Sequence, residues 1–326
     1  MASVKPRVSV ILATYNRAYC LRSAVESILN QTFQDFELLI VDDGSTDETQ
    51  AIVGSIVDPR VRLLCLNRNR GQSFATNHGA RKARGEWLML ADSDDRSLPD
   101  RLEKQLRAVD RDSDSSGRLN GVFGRAAFVD TTNTVTRYFP PIERSIAGDL
   151  SLVDALTGST FGSGRMLVKR NAFIAVKGFD IAIRKSLDRD FIIRLLQQSR
   201  IVGIDDVVVE CLDTSDGLTS TPDPASLRRT LEKNAHEYRR VGRRNLSYQY
   251  RRVGEEYLLL GEEREAAQMF LRSLKLHPNA EHRRLYTLAT RSRWFGPYGS
   301  LAYAHYLKLK LRLQNMGPRR EHDNRI

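Results

Sequence analysis

Four short runs of consecutive apolar residues, separated by segments of helical periodicity, constrain this chain more than any other feature. The runs are 8–13 (VSVILA), 37–41 (ELLIV), 61–66 (VRLLCL) and 87–91 (WLMLA). They are short and continuous rather than alternating, the pattern of strands covered on both faces. Segments 21–29, 48–57 and 74–83 carry apolar residues at helical spacing, and Ser45 or Thr46 stands ready to cap the second. A β-α-β-α-β-α-β series predicts an α/β domain, a mostly parallel sheet flanked by helices. Ligands of such sheets bind beyond the carboxyl ends of the strands.

The residues that follow each strand are therefore where chemistry is expected. The first run leads into Thr14-Tyr15-Asn16-Arg17, the second into Asp42-Asp43-Gly44-Ser45 and the fourth into Asp92-Ser93-Asp94-Asp95. Neither G-x-G-x-x-G after the first run nor G-x-x-x-x-G-K-[ST] occurs, which disfavours a dinucleotide site and a P-loop. Three carboxylates within four residues repel one another unless a cation sits between them, and hard oxygen ligands suit Mg²⁺ or Mn²⁺. Such a cation would neutralise a diphosphate. An acidic turn that only caps a helix or faces solvent is commoner than a metal site, so the weight falls on the motifs around it.

Those motifs occur in order. The stretches VSVILATYNRAYCLRSAVESILNQTFQDFELLIVDDGSTDET and NRNRGQSFATNHGARKARGEWLMLADSDD closely resemble glycosyltransferase family 2, the inverting group with the GT-A fold, and the resemblance extends over 7–213. It implies a Rossmann-like GT-A catalytic domain over 1–222, with a nucleotide-sugar half at about 1–110 and an acceptor half at about 111–222. A basic α-helical extension at 223–326 would follow. Roles come with the resemblance. Asp43 accepts the N3 proton of a uracil base, a sensible task for a carboxylate. Tyr15 stacks on the base, Thr14 and Asn16 lie where the first loop approaches the nucleotide, Asp92 contacts ribose or metal, and Asp94 coordinates the metal carried on the diphosphate. Asp42 either caps its own turn or makes direct contact. Asn77, within GQSFATNHG, matches a position beside the nucleotide site and is either structural or a contact.

A second constellation, GSGRMLVKRNAFIAVKGFDIAIRKSLDRDFIIRLL, resembles the acceptor half of the same family. There the turn Gly178-Phe179-Asp180 precedes the helix that holds the catalytic base. Aligning Arg194-Leu195 with the family's terminal Arg-Leu places Asp188 on the base and Leu187 where the family has Glu, so the base is kept while a neighbour that tunes it is missing. Asp188 would take the proton of an acceptor hydroxyl, a step typically worth about 10² to 10⁴ in rate, and a metal would stabilise charge growing on the leaving diphosphate. Asp190 is expected to pair with Arg194 at i+4. After 207–210 the family often carries His or a basic residue, and this chain instead reads Cys211-Leu212-Asp213-Thr214-Ser215-Asp216.

Charge separates the two parts of the chain. The net charge is +11, yet residues 225–326 hold 22 Lys and Arg against 10 acidic residues and the remainder is close to neutral. A basic helical segment suits an anionic membrane surface, a polyanionic substrate or nucleic acid alike. Thr221-Pro222-Asp223-Pro224 marks the boundary, with Asp223 placed to start a helix. Beyond it Tyr250, Val253, Gly254, Tyr257, Gly261, Ala266, Phe270 and Pro278 fall at the spacing of one tetratricopeptide-like helical pair, too small to bury its own apolar face. Segment 294–313 mixes aromatic and basic residues and could lie on a membrane or pack as core. The three cysteines are widely spaced and read as buried thiols. No apolar run reaches the roughly 18 residues needed to span a bilayer, so the expected location is cytoplasmic, peripheral to the inner membrane face if the basic helices bind it.

The expectation is an inverting glycosyltransferase of the hexosyl- or N-acetylhexosaminyl-transferring type, moving sugar from a nucleotide-diphosphate donor such as a UDP-sugar. The acceptor would be a glycan or lipid-linked saccharide in cell-surface polysaccharide biosynthesis, the cofactor Mg²⁺ or Mn²⁺. A nucleic-acid-binding protein explains the tail but not the acidic strand ends, which repel phosphate without metal. An inactive nucleotide-sugar-binding protein should have lost its acids. A metal-dependent nucleotidyltransferase leaves the Asp188 helix without a task.

Overall fold

The computed structural model describes residues 5–113, 117–157, 162–212 and 221–295. The chain forms two compact units, Met1–Gly217 and Leu218–Ile326. In the first, β1 (Val8–Thr14), α1 (Leu21–Leu29), β2 (Phe36–Asp42), α2 (Thr49–Gly54), β3 (Val61–Cys65), α3 (Gln72–Lys82) and β4 (Trp87–Asp92) follow one another in the predicted alternation. They are followed by β5 (Asp95–Ser97), α4 (Arg101–Asp110), β6 (Leu119–Val129), β7 (Val135–Phe139), β8 (Gly148–Asp149), α5 (Leu152–Thr157) and a 3₁₀ turn at Ser163–Arg165. The unit continues through β9 (Met166–Lys169), α6 (Arg170–Ala175), α7 (Leu187–Leu196) and β10 (Arg200–Leu212).

These strands form one sheet in the order β3-β2-β1-β4-β9-β6-β10-β5, with β7 beside β6 and β8 beside β10. The first four are mutually parallel. β9 then runs antiparallel to both β4 and β6, so the sheet is mixed beyond the fourth strand. Two expectations need correction. β3 is not covered on both faces, because it is the sheet edge and Leu63 and Cys65 are exposed. Nor do Ser45 and Thr46 cap the second helix. α2 begins at Thr49 after Glu48, and Asp47 accepts the Thr49 N–H at 3.0 Å.

The core explains the continuous runs. Val8, Val10, Leu12, Leu38, Ile40 and Met89 are fully buried against Leu21, Val25 and Ile28 of α1 and Leu102 and Leu106 of α4. At the amino end of β2, Glu37 is buried yet satisfied. It accepts from the Ser9 hydroxyl at 2.7 Å, the Arg84 N–H at 2.7 Å and the Arg62 guanidinium at 2.7 Å. Burial alone would raise its pKa, but the serine, the amide and the guanidiniums together pull it below the usual carboxylate range.

In the second unit the chain runs through α8 (Pro224–Lys233), α9 (Ala235–Val241), α10 (Arg243–Leu259), α11 (Glu263–Leu276) and α12 (Ala280–Phe295). Asp223 caps α8 by accepting the Ser226 N–H at 3.0 Å, with Pro224 in the first turn. α10 and α11 pack antiparallel, Ser247 meeting Ser273 and Gly254 meeting the Phe270 ring. The residues singled out by spacing lie on that inner face, with Tyr250, Val253, Tyr257, Ala266 and Phe270 all buried. α12 joins them through His282, whose Nδ1 lies 2.9 Å from the Ser273 hydroxyl. No helix among the described residues is long and apolar enough to cross a membrane. The side chains of 294–313 and residues Asp213 to Asp216 lie outside the described residues.

Candidate active site

Sheet register brings the strand ends together. Thr14 pairs with Asp42, Asp42 with Cys65, and Ala13 with Asp92, so the loops after β1, β2, β3 and β4 emerge side by side. Asn16 laces the first two loops. It takes φ 50°, a left-handed conformation that Asn tolerates, accepts the Thr46 N–H at 2.8 Å and donates its own N–H to the Ser45 hydroxyl at 2.9 Å. Tyr15 beside it is 40% exposed and presents its ring to solvent. Thr14 is buried, and its Oγ1 has no hydrogen-bond partner.

The two acids after β2 divide their work. Asp42 accepts the Ser45 N–H at 3.1 Å and the Gln50 side-chain amide at 2.6 Å, which makes it the cap of its own turn. Asp43 reaches across to the loop after β3, where Oδ1 accepts the Arg70 N–H at 2.9 Å and Oδ2 the Gly71 N–H at 2.7 Å. Burial raises its pKa against the opposing pull of these two amides. Gly44, at φ 76°, lets the loops touch, since a Cβ there would lie 2.6 Å from the Arg68 backbone carbon. A cleft lined by Cys65, Leu66, Asn67, Arg68 and Arg70 opens at this edge.

Asn77 on α3 is buried and engages one residue twice. Its amide nitrogen donates to the Phe179 carbonyl at 2.8 Å, and its carbonyl oxygen accepts the Phe179 N–H at 2.9 Å. Of its two expected roles, this geometry describes a brace between the nucleotide half and the Gly178-Phe179-Asp180 turn. Asp190 braces the same turn from α7. It is fully buried and accepts from Arg194 at 2.7 Å, while Arg194 also donates to the Gly178 carbonyl at 2.8 Å.

The remaining acids gather below the end of β4. Asp92 accepts from the Gln72 side-chain amide at 3.0 Å, and its other oxygen lies directly over Gly164, where a Cβ would approach to 2.1 Å. Asp94 is half-exposed, 3.6 Å from the Arg17 guanidinium. Asp95 accepts from the Cys211 thiol at 3.2 Å. Burial pushes the Asp92 carboxyl well up, helped by repulsion from Asp95, Asp94 and Asp188; burial and Asp94 push Asp95 the same way. Beneath them two guanidiniums are buried. Arg101 donates to the Leu90 carbonyl at 2.8 Å, and Arg165 lies between the Phe123 and Phe139 rings. Desolvation lowers both to about 10, against the pull of the neighbouring acids.

Asp188 sits in the first turn of α7, where unpaired N–H groups and the helix dipole favour a carboxylate. Its pKa is nonetheless raised, by burial first, against the Ser163 hydroxyl and amide and the Arg165 charge. Its Oδ1 is buried and has no hydrogen-bond partner. An orphaned buried carboxylate oxygen costs stability and calls for a chemical reason.

Among the described residues no three His, Cys, Asp or Glu side chains form a cage for a metal ion. Mg²⁺ on a diphosphate needs only one or two carboxylates, the rest of its shell being phosphate oxygen and water. Asp92 and Asp94 fit that need, because they are hard donors in a cluster whose mutual repulsion a cation would relieve. The residues that sequence reasoning passed over are Arg17, which reaches Asp94, and the Ser163-Gly164-Arg165 turn. The turn's letters stood in the quoted acceptor-half stretch, but nothing local marks them.

Comparison with known proteins bears on the family and the fold. Residues 9–165 match the family model described as Glycosyl transferase family 2. The chain is 46% identical over 105 residues to the succinoglycan biosynthesis protein ExoO of Rhizobium meliloti (strain 1021), covering 32% of this chain and 30% of that protein. It is 28% identical over 134 residues to the Escherichia coli UDP-Glc:alpha-D-GlcNAc-diphosphoundecaprenol beta-1,3-glucosyltransferase WfgD, covering 41% of this chain and 51% of that one. It thus spans about half or less of these curated relatives. The crystal structure of S. aureus TarS 1-349 in complex with UDP superposes with a TM-score of 0.61 at 18% identity, over 89% of this chain and 92% of that one, which establishes the shared GT-A fold. Residues 9–165 thus match glycosyltransferase family 2, and the fold is of the GT-A kind.

Proposed function

We propose that this protein is an inverting glycosyltransferase that moves a sugar from a UDP-sugar to a hydroxyl of a glycan or lipid-linked acceptor, in the assembly of a cell-surface polysaccharide. The observation that carries the proposal is the orphaned, buried Oδ1 of Asp188 in a cluster that also holds the acids following β4. A raised carboxyl pKa brings a base closer to neutral working pH, where proton acceptance is most effective. The names of the relatives favour a UDP-sugar and a polysaccharide product.

In this account the exposed Tyr15 ring receives the base and Asp43, already fixed by the Arg70 and Gly71 amides, accepts its N3 proton. Thr14 and Asn16 shape the same edge. Asp92 and Asp94 would hold the divalent cation, which, when bound, neutralises charge on the departing diphosphate. Asp188 accepts the proton of the acceptor hydroxyl as that oxygen attacks the anomeric carbon from the face opposite the diphosphate, and the configuration inverts.

The second unit supports a peripheral membrane location. Arg239, Arg243 and Arg244 are exposed around Gly242 and carry no ion pair among the described residues, whereas Arg240 pairs with Glu237. Incubation with a panel of UDP- and GDP-sugars, with Mn²⁺ or with EDTA, tests the central reading. Nucleotide release that needs both a UDP-sugar and metal is expected. Binding of nucleotide sugar with no turnover on any acceptor would favour the inactive sugar-nucleotide-binding alternative.

A further inference from the structure

Helix α3 begins at the donor edge of the site. The chain enters it through Gly71, whose φ of 89° suits glycine and strains any other residue. Just before the helix, the Arg70 and Gly71 N–H groups close on the two oxygens of Asp43 at 2.9 and 2.7 Å. One residue later the Gln72 side-chain amide donates to Asp92 Oδ1 at 3.0 Å. Three consecutive residues therefore hold two of the acids read as donor ligands, one from the end of β2 and one from the end of β4.

The helix itself is well anchored. Gly79 brings it so close to the sheet that a Cβ there would stand 2.8 Å from Ile11 and 2.9 Å from Val41. The Ser73 hydroxyl donates to the Ile183 carbonyl at 3.2 Å, and Asn77 clasps Phe179. Gln72 thus reaches Asp92 from a fixed support.

Asp92 has little else to direct it. The terminal torsion of an aspartate is broad, so its oxygens take their direction from partners. Among the described residues no group other than Gln72 donates a hydrogen bond to it. Its Oδ2 lies over Gly164, where only the missing side chain leaves room for it. One oxygen is tied and the other hemmed in. The chemistry of the tie matters as well. A carboxylate oxygen has two lone pairs, so Oδ1 keeps one after accepting from Gln72. An amide is neutral and orients the acid without cancelling its charge, whereas Asp94 faces the Arg17 guanidinium at 3.6 Å. Asp92 so retains the negative charge that a hard divalent cation requires.

We propose that Gln72 is a positioning residue of the donor site: its amide sets the rotation of the Asp92 carboxylate for a divalent cation carried on a nucleotide diphosphate, and the 70–72 segment fixes that acid relative to Asp43. The proposal rests on the reading of Asp92 as a ligand of that cation. Partners of this kind touch no metal, yet they orient the groups that do.

The test is calorimetric titration of the full-length protein with UDP, once in EDTA and once in Mn²⁺, for wild type, Gln72→Met, Asp92→Asn and the double variant, with a thermal midpoint for each. Methionine keeps the unbranched length of Gln72 and removes its donor. Gln72→Met should bind UDP in EDTA as wild type does and keep the wild-type midpoint. In Mn²⁺ its UDP affinity should fall by about 10- to 100-fold, the scale of removing a partner behind a metal ligand. In the Asp92→Asn background Gln72→Met should cost nothing further, because the two residues act as one unit. Wild-type affinity of Gln72→Met in Mn²⁺ overturns the proposal, and so does a loss of equal size in EDTA, a lowered midpoint or additivity in the double variant. The reading of Asp92 is judged separately. If Mn²⁺ fails to tighten UDP binding in wild type, or tightens it equally in Asp92→Asn, that reading fails and the proposal falls with it; if Asp92→Asn loses the Mn²⁺ effect while Gln72→Met keeps it, the proposal alone is overturned.

Discussion

Gly164→Ala is the substitution with the sharpest expected consequence. The glycine has no left-handed backbone, so alanine fits its conformation, and the only close obstacle is the Asp92 carboxylate, with Oδ2 at 2.1 Å and Cγ at 3.0 Å from the new methyl. Ordinary contact begins at 3.4 Å, so the carboxylate must retreat by about 1.3 Å. That movement pulls Oδ1 away from its 3.0 Å bond with Gln72. A displacement of roughly 1 Å at a reacting site costs on the order of 10² in rate, about 2.7 kcal/mol of barrier. Overpacking adds roughly 1–3 kcal/mol of instability. Steady-state UDP release and a thermal melt measure the two effects separately. The double variant Gly164→Ala/Asp92→Ala provides the control, because the Asp92 Cβ lies 3.7 Å from the methyl and does not collide. In that background Gly164→Ala should cost nothing further, the non-additivity expected of touching residues. Full activity in Gly164→Ala, or additive losses in the double variant, would refute the reasoning.

Other perturbations have definite signs. Asn77→Ala leaves the buried N–H and carbonyl of Phe179 unpaired, at roughly 1–3 kcal/mol each, and should lower the melting midpoint by several degrees while nucleotide binding persists at saturating donor. Glu37 has a folded pKa below its unfolded value of about 4.3, so its stabilisation is complete above that pH and lost as pH falls through the folded value. Glu37→Gln should therefore cost about 1.5–3 kcal/mol at pH 7, with the difference from wild type shrinking below about pH 4 in denaturant titrations. For the second unit, the full-length protein should float with anionic liposomes at low salt and be released at high salt. Replacing Arg239, Arg243 and Arg244 with Glu should abolish flotation, each basic residue contributing roughly 1 kcal/mol. Wild-type protein that stays at the bottom of a low-salt gradient contradicts the membrane assignment.

The parallel half of the sheet was legible because strands buried on both faces write themselves as unbroken apolar runs, as in 8–13 and 87–91. β3 has the same appearance but lies at the edge, and a six-residue run carries no mark of which face is covered. β6 and β10 were hidden for a different reason. Gly121, Gly124 and Arg125 interrupt the first, and Asp205 and Asp206 the second, where register shifts occur between Gly203 and Val209. Arg125 is buried there because Asp205 and the Pro140, Pro141 and Arg144 carbonyls surround its guanidinium. Such long-range satisfaction has no local signature. The same holds at the site. Acids at the ends of β2 and β4 could be found from strand position alone, and the Asp190–Arg194 pair from helical spacing. The double clasp of Asn77 on Phe179 and the approach of Gly164 to Asp92 join residues 102 and 72 positions apart, and only the folded register reveals them.

The most direct measurement is UDP release by Asp188→Asn beside Asp190→Asn, with donor affinity and thermal midpoint recorded for both. Asparagine keeps the shape of Asp188 but cannot accept a proton, so turnover should fall by at least about 10²-fold with nucleotide-sugar binding and midpoint unchanged. Asp190→Asn weakens the buried pair with Arg194 and should act on stability. Wild-type turnover in Asp188→Asn, or loss of chemistry at full stability in Asp190→Asn alone, would contradict the assignment of Asp188 as the base.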